Sequence, residues 1–440
     1  MVIRHIKSKI KLISPEAHPV LSGLMRSWGW GLAFAPAAWF LGLNLVYYHL
    51  LALICFVSLI HICSFQNHTL YISTLCFTLF IFSLTYISSI IIHAPSGEGS
   101  RMIAAFYNLS YWIMGLVLII FLSNIYTDEL AEKFLAALNR LAIVSGWIAM
   151  AAVICQLAGM QTLVFETPLY GIGRVFGDTV LVNNSLIISI LQPDWFISLW
   201  RPRFNLFSPY PTATGGLFVL FLFAAFAYAS QRRPFKSLSF IVLVLSLFTG
   251  LAMTLARSSC IAFIIGLGAV LILERRRSFL WILIAAFVLL ACVPLLEKLF
   301  EIFLGLREGS TETRADLYHQ SLGQLEGADW VFGLGLKPRE TAFSYPLGSH
   351  STYLSIIFRM GILGIFFFVL FQIQILWRWF QLKSIVIQKR SRFILWRFFG
   401  TVFIGMLIWM ATEDIDAPQL LCFVYFSCIG FFEGFRRICL

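Results

Sequence analysis

Residues 350–376 read HSTYLSIIFRMGILGIFFFVLFQIQIL, and a single charge, Arg359, stands in that run. A helix needs about 20 apolar residues to cross the hydrocarbon core of a bilayer. The stretch therefore predicts a spanning helix, with His350 at its polar edge. The rest of the chain reads alike. Of its 440 residues 60% are hydrophobic and 12% charged, and the mean hydropathy is +0.86. A soluble domain carries roughly a quarter charged residues, so a soluble protein this apolar could not cover its surface. Disorder, a collagen-like repeat and a small disulfide scaffold are excluded by the same composition.

Working outward from residue 350, twelve apolar segments predict an all-α polytopic membrane protein. They run approximately over 28–44, 45–63, 69–92, 109–125, 141–157, 214–230, 238–255, 259–273, 279–296, 350–376, 394–411 and 418–435. Trp28, Trp30, Tyr48, Tyr126, Trp377 and Trp379 fall near segment ends, where interfacial aromatic residues are expected. An even number of spans puts both termini on one side. With that side cytoplasmic, the inside segments hold 20 Lys/Arg and 5 Asp/Glu, and the outside segments 10 and 15, while Arg359, Arg397 and Glu433 fall within spans. This asymmetry sets the orientation, because cytoplasmic loops are enriched in Lys and Arg.

The chain then divides into a five-helix part (1–157), an outer loop (158–213), a four-helix part (214–296), a second outer loop (297–349) and a three-helix part (350–440). The apolar run from Val180 to Leu191 is expected to lie along the membrane surface. Thr313 to Leu325 is expected to be helical, with Glu312 and Asp316 near the positive end of its dipole. The basic stretch from Arg4 to Lys11 precedes a polar, Pro-containing segment rather than an apolar one, so no cleavable signal peptide is expected. The nine cysteines have no CxxC or Cys/His metal spacing and read as small buried hydrophobes.

Charges within or beside spans are costly and call for explanation. Arg201 and Arg203 precede the sixth span, Arg257 occupies the tight turn between the seventh and eighth, and Arg314 lies early in the second loop. Each is either a solvated or snorkelling arginine or a ligand-facing one. Arg257 fits the first reading least, since a cation in a short outer turn opposes the charge bias. His350, at the positive end of a helix dipole and near arginines, is expected to stay neutral and able to accept a proton; the alternative is an interfacial capping histidine. His49, His61, His68 and His93 have no acidic neighbour in sequence, and His319 sits in the loop helix. Glu413, Asp414 and Asp416 fill the outer turn between the last two spans. They could orient the histidine, bind an acceptor or balance an arginine. Arg359 could reach a lipid headgroup or a cavity.

Arginines bind phosphate oxygens as bidentate forks, and fixed guanidinium groups stabilise a diphosphate as it leaves. A neutral histidine suits the base that activates an acceptor hydroxyl. The two long loops hold no DxD-like pair, and the chain has no Walker loop, GxGxxG or HExxH pattern. Neither metal nor cofactor is therefore expected, and the energy is expected to come from the substrate.

The order of these residues resembles the O-antigen ligase and polymerase family, most closely its ligases. His350-Ser351, nine residues, Gly361, two residues and Gly364 is similar to the ligase motif around its histidine. Thr254-Leu-Ala-Arg257-Ser258 resembles the Thr-x-Ser-Arg stretch that opens the shared domain, with Ala256 in place of the commoner Ser. Arg314 followed by Gly333-Leu-Gly335 is similar to the arginine that precedes a Gly-x-Gly. Arg203-Phe-Asn-Leu-Phe-Ser-Pro-Tyr-Pro resembles the element before the sixth span but carries Asn205 for Gly, which leaves Arg201 and Arg203 as alternatives.

The resemblance implies a GT-C-like, metal-independent, inverting glycosyltransferase of the bacterial inner membrane with its site facing the periplasm. Its donor would be a glycan on undecaprenyl diphosphate and its acceptor lipid A–core; no nucleic acid is implied. A polymerase of the same family is the nearest alternative. A lipid-linked glycan flippase or transporter is the next, although the conspicuous residues gather on the outer side rather than at mid-membrane.

Overall fold

The computed structural model describes residues 19–66, 69–96, 99–173, 183, 185–193, 202–232, 237–274, 308–337, 346–417 and 419–440. The helices are α1 (Pro19–Leu41), α2 (Asn44–Gln66), α3 (Thr74–His93), α4 (Gly99–Ile125), α5 (Asp128–Leu157) and the short α6 (Tyr170–Gly173). They continue with α7 (Pro211–Arg232), α8 (Leu238–Met253), α9 (Arg257–Glu274), α10 (Glu308–Gly323), the short α11 (Asp329–Phe332), α12 (Thr352–Val386), α13 (Arg390–Met410) and α14 (Gln419–Cys439).

Eight of the described helices are long and apolar enough to cross a membrane: α2, α3, α4, α5, α7, α9, α12 and α13. The apolar part of α1 and the whole of α8 are shorter. The span expected over 279–296 lies outside the described residues. The expected break at 44/45 falls a little earlier, at Gly42, whose φ of +84° ends α1.

Several helix starts follow from local sequence. The side chains of Ser73, Thr127, Ser237 and Ser351 accept hydrogen bonds from the backbone N–H groups of Cys76, Leu130, Phe240 and Leu354. Each satisfies a donor that the first turn cannot pair itself. α7 and α14 form the centre. α14 is buried continuously from Gln419 to Phe435, and α7 from Pro211 to Ala225. A helix apolar all round belongs inside a bundle or in a membrane. The flanking helices instead expose large apolar side chains such as Leu53, Ile91, Leu245, Ile264 and Ile373, as surfaces facing lipid tails do.

The two ends of the bundle carry separate charge clusters. Glu433 pairs with Arg378 at 2.6 Å, Asp128 with Arg392 at 3.2 Å and Glu274 with Arg397 at 3.1 Å. These residues sit at the ends of α5, α9, α12, α13 and α14 remote from His350.

Three readings of the sequence need correction. The first outer loop contains a three-stranded antiparallel sheet, β1 (Leu163–Glu166), β2 (Ile187–Gln192) and β3 (Arg203–Phe204), in the order β1-β2-β3. From Ile187 on, the Val180–Leu191 run is thus the middle strand, with Ile188 and Leu191 buried in protein. The purely helical fold class gains a small sheet. Tyr48, Tyr126 and Trp379 are buried in the core, and only Trp377 of the described aromatic set is exposed. A ring near a segment end is an interfacial residue only if its helix faces lipid there. Finally, α12 runs ten residues beyond the expected 376 and is broken at Gly361, at φ 62° and ψ −159°.

Candidate active site

The break in α12 explains the glycine pattern. Left-handed backbone with ψ near 180° is nearly restricted to glycine, and both Gly361 and Gly333 adopt it. At the break, helix hydrogen bonding is interrupted and two carbonyls are released. Leu334 N–H donates to Phe358 O at 2.8 Å, and Gly335 N–H to Arg359 O at 3.0 Å. Ser89 Oγ also donates to Arg359 O, at 2.6 Å. A Cβ on Gly333 would overlap the backbone of Arg359 and Met360, and one on Gly361 would overlap that of Val331 and Phe332. The Gly-Leu-Gly of the second loop and the glycine eleven residues after His350 are therefore two sides of one backbone seam. It divides α12 into Thr352–Met360, which stands on the site side, and a long second part from residue 362 to Val386.

α10 positions the histidine. Leu317 and Leu325 pack with Leu347 and Phe358 in a small core of their own. Tyr318 Oη donates to His350 O at 2.6 Å, and Gly348 N–H donates to Ser321 Oγ at 2.8 Å. These contacts hold His350 at φ +65°, a conformation uncommon outside glycine. Burial is the first cause holding the imidazole below its ordinary value of 6.5; Arg314 and Lys337 act in the same sense, and Glu413 and Asp414 oppose them. The sequence pointed to the helix dipole, but His350 lies before the capping Ser351, and its low basicity comes chiefly from desolvation.

The same helix carries Arg314, whose guanidinium donates to Glu413 Oε1 at 2.8 Å and to Thr412 O at 3.2 Å. Arg257 opens α9 after a turn in which Leu255 has φ +53°. Its guanidinium donates to Thr311 Oγ1 of α10 at 2.9 Å. Arg203 lies on β3 and donates from Nε to Thr254 O, three residues before Arg257, at 3.0 Å. The three arginines thus reach one region from the first loop, the α8–α9 turn and the second loop. Arg201 lies outside the described residues. Asn205, where the family pattern has Gly, ties this loop down: its amide donates to Ser208 O at 2.9 Å and its oxygen accepts from Thr214 Oγ1 at 2.6 Å.

The acidic turn between α13 and α14 joins these pieces. Its three acids each meet a different cation: Glu413 pairs with Arg314 at 2.8 Å, Asp414 with Lys337 at 3.2 Å and Asp416 with Arg359 at 2.5 Å. Glu413 also accepts from Thr212 Oγ1 at 2.7 Å, and its carbonyl accepts from Thr352 N–H and Oγ1. Arg359 is buried, and it additionally donates to Tyr86 Oη and Ser355 Oγ. Of the three roles the turn allowed, balancing an arginine fits Glu413 and Asp416. Arg359 makes a buried structural pair and borders a cavity rather than reaching a headgroup.

That cavity, of about 270 Å³, lies on the Asp414 side of the turn and is bordered by Lys337, Asp414, Gln419, Tyr210, Asn108 and Ser349, among others. A second cavity, of about 470 Å³ and largely apolar, lies between α5, α7 and α8, where Asn139, Trp147, Tyr228 and Phe240 border it. None of the arginines or His350 borders that one.

The sequence did not single out Lys337, Tyr318, Ser321 or Gln419. His93, which has no acid near it in sequence, lies 3.6 Å from Asp329 of α11. Only the folding of the second loop onto α3 and α12 brings such groups together.

Residues 242–369 match the O-antigen ligase family. The matched segment covers less than a third of the chain, from α8 into the second part of α12. It includes Arg257, Arg314, the Gly-Leu-Gly, His350 and Gly361. No curated protein matches the chain. The matched segment thus contains both sides of the glycine seam together with Arg257, Arg314 and His350. It supports glycan transfer of the ligase or polymerase type by a multi-pass membrane protein.

Proposed function

We propose that the protein is an O-antigen ligase. It transfers a glycan from undecaprenyl diphosphate to a sugar hydroxyl of lipid A–core, inverting the anomeric configuration. In this reading the chain spans the inner membrane twelve times in a GT-C-like arrangement. Both termini are cytoplasmic and the site opens to the periplasm. What supports the proposal is a linked set of contacts: Arg203 on the turn before Arg257, Arg257 on α10, Arg314 of α10 on Glu413, and His350 held by Tyr318 of the same helix.

In the mechanism, the three guanidinium groups receive the donor diphosphate as charge-assisted forks. His350 takes the proton from an acceptor hydroxyl as its oxygen attacks the anomeric carbon from the face opposite the diphosphate. The new C–O bond forms as the bond to the diphosphate breaks, and undecaprenyl diphosphate leaves with the electron pair. The arginines offset the charge that develops there, an interaction stronger in the transition state than in the ground state. Glu413 holds Arg314 in place until a phosphate competes for it.

The test is the surface lipopolysaccharide of a deletion strain complemented with wild type or with His350→Ala. Bare lipid A–core, with polymer retained on undecaprenyl diphosphate, is expected for both the deletion and the variant. Core bearing a single repeat unit would instead make the protein a polymerase, and full rescue by His350→Ala would remove the proposed base.

A further inference from the structure

Arg203, Arg257 and Arg314 do not border the cavity beside Asp414, yet its walls are not those of an inert void. It is bounded by α4, the loop before α7, the acidic turn, the start of α14 and the segment that leads to His350. Three buried polar residues on its wall, at 9%, 2% and 7% exposure, keep a side-chain oxygen without a hydrogen-bond partner: Asp414 Oδ1, Gln419 Oε1 and Ser185 Oγ. Most buried polar atoms in folded proteins are paired, so each exception needs a cause. Three on one wall point to a shared occupant that supplies hydrogen bonds. Tyr86, Tyr107 and Tyr210 add ring surface to the same cavity. Two acceptor oxygens, a hydroxyl and aromatic walls match the equatorial hydroxyls and apolar ring faces of a sugar. The volume, about 270 Å³, lies near the lower end for small-ligand pockets, roughly 300–1,000 Å³.

Position favours the same ligand. Glu413 turns toward Arg314, and its neighbour Asp414 borders the cavity. Ser349, next to His350 in the chain, borders it as well, and the charges of Arg314 and Lys337 both act on the imidazole. A ring held in the cavity would therefore lie beside the segment that carries the imidazole.

We infer that the cavity bordered by Asp414, Gln419 and Ser185 is a saccharide subsite that holds one pyranose ring beside His350. Sugar hydroxyls donate to Asp414 Oδ1 and Gln419 Oε1, and Asp414 Oδ2 stays with Lys337. The inference rests on the glycosyltransferase reading above. The ring comes either from the acceptor or from the reducing end of the donor glycan, and the experiment separates these sources.

The full-length protein in nanodiscs would be assayed with purified lipid A–core and an undecaprenyl-diphosphate-linked glycan, each varied in turn. Gln419→Leu and Asp414→Asn are expected to raise one KM at least tenfold, with kcat changed less than threefold. A rise for lipid A–core assigns the ring to the acceptor, and a rise for the lipid-linked glycan assigns it to the donor. Unchanged KM for both substrates overturns the subsite. Ser185→Ala, a small deletion, is the companion should either variant fail to fold, and a twofold to fivefold rise in the same KM is expected.

Saturation-transfer NMR with deacylated core oligosaccharide, and separately with the free O-antigen repeat unit, gives a readout independent of turnover. A signal in wild type that Gln419→Leu abolishes upholds the subsite even if no transfer occurs, in which case the ligase reading alone falls. No signal from either saccharide overturns the subsite.

Discussion

Replacing Gly333 by alanine should part the seam between the second loop and α12, although the residue touches no substrate in the proposed mechanism. Its backbone lies at φ 71° and ψ −176°, a region that costs a residue with a Cβ about 1–3 kcal/mol. The new methyl would also overlap the backbone of Arg359 and Met360, which cannot rotate away as a side chain could. Relief requires separation of the two chains and loss of the bonds from Leu334 N–H and Gly335 N–H to the carbonyls of the break. Each buried group left unpaired costs about 1–3 kcal/mol, so the strain and the two lost bonds total about 3–9 kcal/mol. Lys337 and the His350 segment lie on either side of this seam, and a displacement of about 1 Å can cost about a hundredfold in rate. Transfer assayed in membranes should therefore fall more than about 100-fold, with protein still present in the membrane. Gly361→Ala should do the same, and the double variant should be little worse than either, because both substitutions open one seam. Gly333→Ala with wild-type transfer and unchanged thermal stability would refute the seam, and full additivity of the two would show that they act at separate places.

Four further outcomes can be checked. Because His350 works as a neutral base, transfer should hold below pH 6.5 and fail only as the pH drops through the depressed value of the imidazole. Arg314→Gln removes a cation that lowers that value, so the acid limb of the pH–rate profile should move to higher pH, alongside a loss of about 100-fold or more in rate. Tyr318→Phe deletes the bond to His350 O, and a loss of about 3–10-fold in kcat with little change in donor KM is expected from a bond worth about 0.5–1.5 kcal/mol. Arg359→Ala strips Asp416 of its buried partner, which should cost about 3–5 kcal/mol and appear as loss of folded protein in fluorescence-detected size-exclusion profiles.

Much of the membrane part is legible because a bilayer punishes unpaired backbone and buried charge. Apolar runs therefore indicate helices. The same logic drew attention to Arg257, since a cation in a short turn opposes the charge bias, and the structure joins it to Thr311 of α10. It did not find the sheet in the first loop. Ile187 to Gln192 is apolar on both faces, and such a run reads equally as a strand in protein or as a segment lying in lipid. Nor did it separate Glu413, Asp414 and Asp416, whose fates depend on cations 57 to 99 residues distant in the chain. The interfacial reading of Tyr48, Tyr126 and Trp379 failed because helix ends in a bundle face neighbours as often as lipid.

The glycines show most clearly what spacing alone can convey. Read as a pattern, His350, Gly361 and Gly333-Leu-Gly335 look like parts of one chemical motif. In the folded chain only the histidine stands among charged groups, and the glycines work on backbone. Helix hydrogen bonds at Phe358 and Arg359 must be released for the second loop to dock, and only a residue without a Cβ can make that break while another backbone lies against it. The fixed distance from histidine to glycine then has a mechanical meaning. It measures the half-helix Thr352–Met360, which sets how far the His350 segment stands from the seam. A one-residue insertion at Ile357 would turn that half-helix by about 100° and carry either His350 or the Arg359–Asp416 pair out of place. Transfer should then be lost even though every arginine and the histidine remain, and a single compensating deletion within 352–360 should restore it.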